Sequence, residues 1–497
     1  MASRAVSSAT STPVETGPAM RKELGILGAI SLIVGCMIGS GIFVSPGGVL
    51  EATGSVGLSL VVWVCAGLIA LMGSLCYSEL GTMLPKSGGV YTFVREAFGD
   101  IAAFIWIWVD LLLVRPSSLA IMALTFGTYF VAVFDLCGNT RLYVRLAAVA
   151  CLVTVMFLNC YSTKLANWAT IISTVFKVAA LLVIVCGGIL KLAQGNSLAL
   201  TSGFQGSNYD VTKISLALYD ALWAYDGWVC LTTVVEEIQK PSRNLPIANT
   251  AGVVLIVIVY LATNIAYFAA MTTTEILEAD AVAVVWGDRV LKGASLFIPV
   301  AVMVSAFGAV NGNVFSGGRS IFVAARDGNL PSILSYIHVD KLTPLPTMVF
   351  TTVTTTVFVL LGDISSLVDF FSFTVWLFYG LSFGSLLVFR VTKPDRVRPY
   401  KCPIVIPVVM VIISIYLVLA PIIKEPSIGY LYAALFSVGG LIFYFPFVKY
   451  KLDLPYKGGL IFYFPFVKYK LDLPYKDKLT LYIQLILQVV PPTKYMD

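Results

Sequence analysis

Charge is what this chain has least of. Of its 497 residues, 12% are Asp, Glu, Lys or Arg, about half of the roughly 25% usual in a soluble domain. So little polar surface cannot coat a globule in water, and a soluble fold is excluded. Histidine is scarcer still. The single one, His338, falls in a predicted loop, which removes histidine-based metal sites and catalytic triads. No Asn-x-Ser/Thr acceptor for glycosylation occurs. The first nineteen residues are rich in Ser, Thr and Ala and lack the apolar centre of a signal peptide. They are expected to form a disordered cytoplasmic tail. The net charge of +6 comes from short basic clusters between apolar stretches. That pattern concerns membrane orientation rather than nucleic acid.

What is abundant is hydrocarbon. Hydrophobic residues make up 58% of the chain, in runs near the roughly 20 residues a helix needs to cross a bilayer. The runs predict about twelve helical spans, at 24–50, 57–83, 100–131, 143–160, 166–191, 211–235, 246–271, 292–325, 346–361, 365–391, 402–424 and 429–448. An even number puts both termini on one side. One set of loops holds Lys86, Arg95, Lys164, Lys240, Arg243, Arg326, Lys341, Arg390, Lys393, Arg396, Arg398 and Lys401. The opposite loops are poorer in basic residues, and one carries Glu275, Glu278, Asp280 and Asp288. The positive-inside bias then predicts cytoplasmic termini. Cysteines number nine, an odd count. Cys36, Cys65, Cys76, Cys151, Cys186 and Cys230 fall inside spans, where they read as small buried hydrophobes.

Two spans are predicted to break. The first reads Ile38-Gly39-Ser40-Gly41-Ile42 in mid-membrane and the sixth Trp223-Ala224-Tyr225-Asp226-Gly227-Trp228. Glycines flanking a serine weaken a helix, and unwound backbone at membrane depth survives only where it lines a protein-enclosed cavity. Breaks at positions one and six suggest two five-span repeats of inverted topology, with a substrate site where the half-helices meet. Amides freed at Ser40 and Gly41 form the positive end of a half-helix and suit a carboxylate. Carbonyls near Ile38, Trp223 and Ala224 suit an ammonium. Together they match the constant part of an α-amino acid. The competing reading is that these glycines only let helices pack closely.

Arg115, Lys177, Asp226 and Arg319 lie well inside apolar spans, with Asp110 and Asp220 nearer span ends. An ionisable residue at a span centre costs roughly 2.5–3.5 kcal/mol on insertion scales, so each is a functional candidate. The alternatives are a structural ion pair or a side chain that snorkels outward. Arg319 fits the latter, and Arg115, before Pro116, is placed to answer carbonyls freed there. Asp226 has a further alternative, that of capping a half-helix.

These residues stand in a recognisable order. IVGCMIGSGIFVSP (33–46), CYSELGTMLPKSGG (76–89), RPSS (115–118), LNCYSTK (158–164), EEIQKPSRNLP (236–246), RDGNLPSILSYI (326–337), DFFSF (369–373) and the closing QVVPP resemble the light-chain subunits of heterodimeric amino-acid transporters. These belong to the amino acid–polyamine–organocation superfamily. KELGILGAIS, LWAYDGW (222–228), GDRVL (287–291), WLFYGL (376–381) and LVLAPII (417–423) are most similar to the cystine and cationic amino-acid subtype that partners the rBAT heavy chain. The resemblance implies an all-α integral membrane protein of the LeuT type, a 5+5 inverted repeat with helices one and six broken. In that scheme 1–22 is the N-terminal tail, 23–191 the first repeat, 192–391 the second, 392–448 the last two spans and 449–497 a cytoplasmic tail. It implies a plasma-membrane, sodium-independent exchanger, without cofactor or metal, taking cationic amino acids and cystine in exchange for neutral ones.

By residue, the resemblance gives substrate contact to Ile38, Gly39, Ser40, Gly41, Trp223, Ala224, Asp226 and Gly227. Trp223 would close over substrate, and Asp226 would meet basic side chains. Lys177 would stand where sodium-coupled relatives hold Na⁺. Cys137, in the polar outer stretch Asp135-Leu136-Cys137-Gly138-Asn139, would form the interchain disulfide to a single-span heavy-chain glycoprotein. An exchanger of large neutral amino acids and a non-transporting sensor of the same fold are the alternatives. An enzyme would need a nucleophile, base or metal cluster, and the sequence supplies none. One feature departs from the family: residues 439–457, GGLIFYFPFVKYKLDLPYK, recur unchanged at 458–476. An identical tandem copy points to an artefact of sequence assembly, and its apolar run, Leu460 to Val467, is too short to cross.

Overall fold

A computed structural model describes residues 24–449, apart from 86–87, 135–137, 196, 198, 280, 327, 339–342 and 425–427, together with 489–490. Helices dominate, as lipid requires, because a helix satisfies its backbone polar groups within itself. Among the described residues eight are long and apolar enough to cross a bilayer, including Val56–Met83, Thr140–Tyr161, Pro241–Ala270 and Ile364–Thr392. The bent pair Ile26–Met37 and Gly41–Thr53, at 50° to each other, makes a ninth. The three remaining predicted positions hold shorter helices: Val211–Ala224 with Cys230–Thr233, Leu345–Leu361, and Ile428–Gly439. Among the described residues length and composition thus give eight or nine spans where about twelve were expected; the difference lies in short or broken helices.

Local chemistry sets the helix starts. Ser55 Oγ accepts from the Leu58 amide at 3.3 Å and Asn139 Oδ1 from Leu142 at 3.1 Å. Thr272 and Glu275 form a reciprocal capping box. These polar residues take up amides that the first helical turn leaves unpaired. Outside the fold the side chains are apolar: Leu165, Trp168, Ile172, Val175, Leu182 and Ile189 of span five are all exposed. In a bilayer that face meets lipid. Inside, polar side chains join spans. Asn159 Nδ2 donates to Asn311 Oδ1 at 2.7 Å, and Asn311 Nδ2 donates to Ala166 O at 2.7 Å. These bonds tie spans four, five and eight in surroundings that offer few other partners.

The basic residues used to predict orientation also bond within the protein. Glu79, fully buried, takes two hydrogen bonds from Arg390, at 3.2 and 2.5 Å, and one from the Cys402 amide at 2.8 Å. Glu96 pairs with Lys393 and Arg396. Their hydrogen bonds, Lys393's first, hold the Glu96 carboxyl below its ordinary pKa. His338 lies in a two-residue strand, Ile337–His338, which pairs antiparallel with Val489–Val490, and so is not in the loop expected.

Candidate substrate-binding site

Both predicted breaks are present. Span one is interrupted between Met37 and Gly41, and span six leaves its helix after Ala224 and resumes at Cys230. Glycine brings the two together. A Cβ on Gly41 would strike the Ala224 backbone, with Ala224 Cβ at 2.9 Å. Gly227 has φ +116° and a Cβ there would lie 2.9 Å from Cys36 C. Each break therefore presses a glycine against the other's backbone. Close packing and unwinding, posed as competing readings of these glycines, occur together.

On the span-one side the amides of Ser40, Gly41 and Ile42 find no backbone acceptor among the described residues. They open the half-helix Gly41–Thr53, where its dipole favours an anion. Ser40 Oγ and Trp223 Nε1 are buried without a protein partner. Buried polar atoms rarely stay unpaired, and a polar ligand between the breaks would pair them. Gly39 adds room: a Cβ there would meet nothing within 4 Å.

The carbonyls expected to be free are shared. Lys177 is buried and donates from Nζ to Gly35 O at 2.7 Å and Ile38 O at 2.8 Å. The Tyr260 hydroxyl sits 2.9 Å from Met37 O and 3.1 Å from Ala224 O, so its one proton serves both breaks. Trp223 O accepts from the Asp226 amide at 3.2 Å. The Ile38, Trp223 and Ala224 carbonyls thus each have a protein donor. A substrate ammonium would use the second lone pair that a carbonyl retains.

Asp226 lies in the span-six break, half-buried. Its Oδ1 accepts the Tyr379 hydroxyl at 2.9 Å. Tyr379 belongs to Ile364–Thr392 and packs on Trp228, ring centroids 4.9 Å apart. Asp226 does not cap the following helix, whose N-cap is Val229. Trp223 stands edge-on to Phe371 at 4.8 Å, joining the two spans by an aromatic contact.

The other intramembrane charges lie elsewhere. Arg115 donates to Asp110 Oδ2 at 2.6 Å across the π-helical turn Asp110–Val114, so its partner is a carboxylate and not the carbonyls expected. Asp220 is beside Gly48, where a Cβ would clash with its carboxylate. Arg319 lies on the helix Phe297–Arg326, its side chain outside what is described. Cys137 also falls outside the described residues. Sequence reasoning missed Tyr260 and Tyr379. The only signal was a hydroxyl within an apolar span, too common to single out.

A family model described as amino acid permease matches residues 24–447. The human b(0,+)-type amino acid transporter 1 is 43% identical over 474 residues, 95% of this chain and 94% of that protein. The human cystine/glutamate transporter is 38% identical over 408 residues, 82% of this chain and 81% of that protein. The mouse large neutral amino acids transporter small subunit 2 is 38% identical over 435 residues, 86% of this chain and 81% of that protein. The broken helices, the glycine contacts between them and this match over most of the length agree: the chain belongs to the amino acid permease family.

Proposed function

We propose that the protein is a sodium-independent exchanger that takes up cationic amino acids and cystine and releases neutral ones. The observation that carries this reading is the pairing of the two breaks. Unpartnered amides at Ser40 and Gly41 face the needs of a carboxylate. Asp226 lies in the second of these breaks, where its Oδ1 accepts the Tyr379 hydroxyl and a carboxylate has room for further donors. A basic side chain would bring its own counter-charge to that acid, and such a pairing is stronger where water is excluded. Lys177, bonded to two carbonyls of span one, supplies in this reading the positive charge that a sodium ion supplies in coupled carriers.

Transport would proceed by alternating access. Spans one and six, with two and seven, rock against the rest, and residues 23–191 and 192–391 act as inverted repeats. The chain would sit in the plasma membrane with both termini in the cytoplasm, joined through Cys137 to a single-span heavy-chain glycoprotein of the rBAT type. The resemblance to a b(0,+)-type transporter supports that subtype.

The deciding experiment is uptake of labelled arginine, with each amino acid as competitor, in sodium and in choline buffer, with and without the heavy chain. Competition by cystine, lysine and leucine, unchanged in choline, is expected. Uptake confined to large neutral substrates would overturn the substrate assignment. Absence of any flux in proteoliposomes would favour a sensor. Cys137→Ser is expected to remove a high-mass band from non-reducing gels; a wild type that runs as a monomer beside every heavy chain tested would refute the linkage.

A further inference from the structure

One hydroxyl reaches both breaks. Tyr260, on Pro241–Ala270, is fully buried, and its Oη lies 2.9 Å from Met37 O and 3.1 Å from Ala224 O. The ring is held on two sides. Trp63 stands edge-on to it with centroids 6.1 Å apart, and Tyr225 packs at 5.0 Å. Tyr225 follows Ala224 in the chain, so one turn of span six supplies both a ring contact and a carbonyl. That packing fixes where the hydroxyl points.

The two carbonyls do not depend on it equally. Met37 O also accepts the Gly39 amide at 2.8 Å. Ala224 O has no other donor among the described residues. The other carbonyls expected to meet a substrate ammonium are less available. Ile38 O is bonded by the Lys177 ammonium at 2.8 Å, and a second cation beside it would be repelled. Trp223 O accepts from the Tyr225 and Asp226 amides, which uses both its lone pairs. Ala224 O has one neutral donor and a lone pair to spare. It is also well placed. Ala224 touches Gly41, whose amide is unpartnered among the described residues. One carbon bears both the carboxylate and the ammonium of an α-amino acid, so the groups that receive them must lie this close.

We infer, on the amino-acid reading above, that Tyr260 is a positioning residue for the substrate's α-ammonium. Its hydroxyl fixes the direction of Ala224 O, which accepts from the ammonium beside the Gly41 amide. Without that hydroxyl Ala224 O loses its one protein donor and is free to turn. Recognition then weakens for every amino acid whatever its side chain, because the ammonium is common to all. Asp226, which answers to the side chain, would behave differently.

The test uses the full chain, purified for binding and reconstituted for exchange. Arginine and leucine are titrated and their affinities read from thermal stabilisation. KM and maximal rate of exchange are measured for both. In Tyr260→Phe both dissociation constants and both KM values are expected to rise about tenfold, the scale of one hydrogen bond to a charged group. The maximal rate is expected to change less than KM. Incorporating 4-aminophenylalanine at position 260 returns an N–H donor on the same ring, and is expected to recover most of the lost affinity. Unchanged affinities in Tyr260→Phe would overturn the role. So would a loss confined to arginine, a fall in maximal rate larger than the rise in KM, or a 4-aminophenylalanine protein as weak as Tyr260→Phe. Failure of Tyr260→Phe to fold would assign the hydroxyl to stability and overturn the role too. A wild type that binds amino acids without exchanging them would remove the exchanger reading, while the affinities still decide on Tyr260. A wild type that binds neither amino acid would overturn both.

Discussion

At the scale of single residues the proposed site depends on two charges placed where charge is costly. Lys177 is held by two carbonyls of the first half-helix, at 2.7 and 2.8 Å. Hydrogen bonds to a charged group contribute roughly 1.5–3 kcal/mol each. Lys177→Ala is therefore expected to loosen the break and to lower exchange of every substrate at least tenfold, at normal surface expression. Retained sodium-independent flux in this variant would remove Lys177 from its role. Asp226 makes a different demand. If it selects charge, Asp226→Asn loses arginine and lysine uptake while leucine exchange largely survives. The Tyr379 hydroxyl can still donate to the amide oxygen, so the local fold has a substitute bond. Parallel losses for arginine and leucine would assign Asp226 to structure alone. The positions of both charges were readable in the sequence, because an ionisable residue in an apolar span stands out. Their partners were not: Gly35 O, Ile38 O and Tyr379 Oη lie far away along the chain, and periodicity carries no information on such pairings.

At the scale of elements, the breaks were legible because glycine and serine weaken helices in a sequence-local way. Their mutual fit was hidden. Nothing in Trp223–Trp228 indicates that Gly227 must pass Cys36 or that Gly41 must pass Ala224. Tyr260, in Pro241–Ala270, was equally unreadable, though it bonds both breaks with one proton. Gly227→Ala tests the fit. The residue has φ +116°, outside the range an alanine adopts without strain. The left-handed conformation costs a non-glycine residue roughly 1–2 kcal/mol, before the clash of the new Cβ with Cys36 C at 2.9 Å. The substitution should push span six off span one and depress arginine and leucine exchange together, unlike Asp226→Asn. Measuring both substrates in both variants separates a disturbed break from altered selectivity. Near-normal exchange by the Gly227→Ala protein would show that the close approach is not required.

At the scale of the whole molecule the open matter is the duplicated segment. The first copy begins at Gly439, and its early residues pack on span three. Trp108 Nε1 donates to Phe436 O at 3.1 Å, and its ring stacks on Phe436 and Phe443, centroids 5.3 and 4.8 Å apart. Tyr444 lies against Phe104 at 5.2 Å. Gly440 makes room, since a Cβ there would lie 2.8 Å from Trp108 Cδ1. Gly440, Phe443 and Tyr444 thus pack against Trp108 and Phe104 of span three. The second copy, residues 458–476, lies outside the described residues. Its Phe462 and Tyr463 repeat Phe443 and Tyr444, yet Trp108 is already covered. Because the copies are identical, deleting either leaves the same chain, with one copy that completes span twelve. That chain is expected to exchange arginine within twofold of the full protein. A matched pair of substitutions tells which copy the fold uses. Gly440→Leu overfills the contact with Trp108, a kind of change that costs about 1–3 kcal/mol, and should lower the melting temperature in detergent. Gly459→Leu, at the equivalent position of the second copy, should leave it unchanged. Equal destabilisation by both, or a deleted chain that reaches the membrane without activity, would show that residues 458–476 have a structural role of their own.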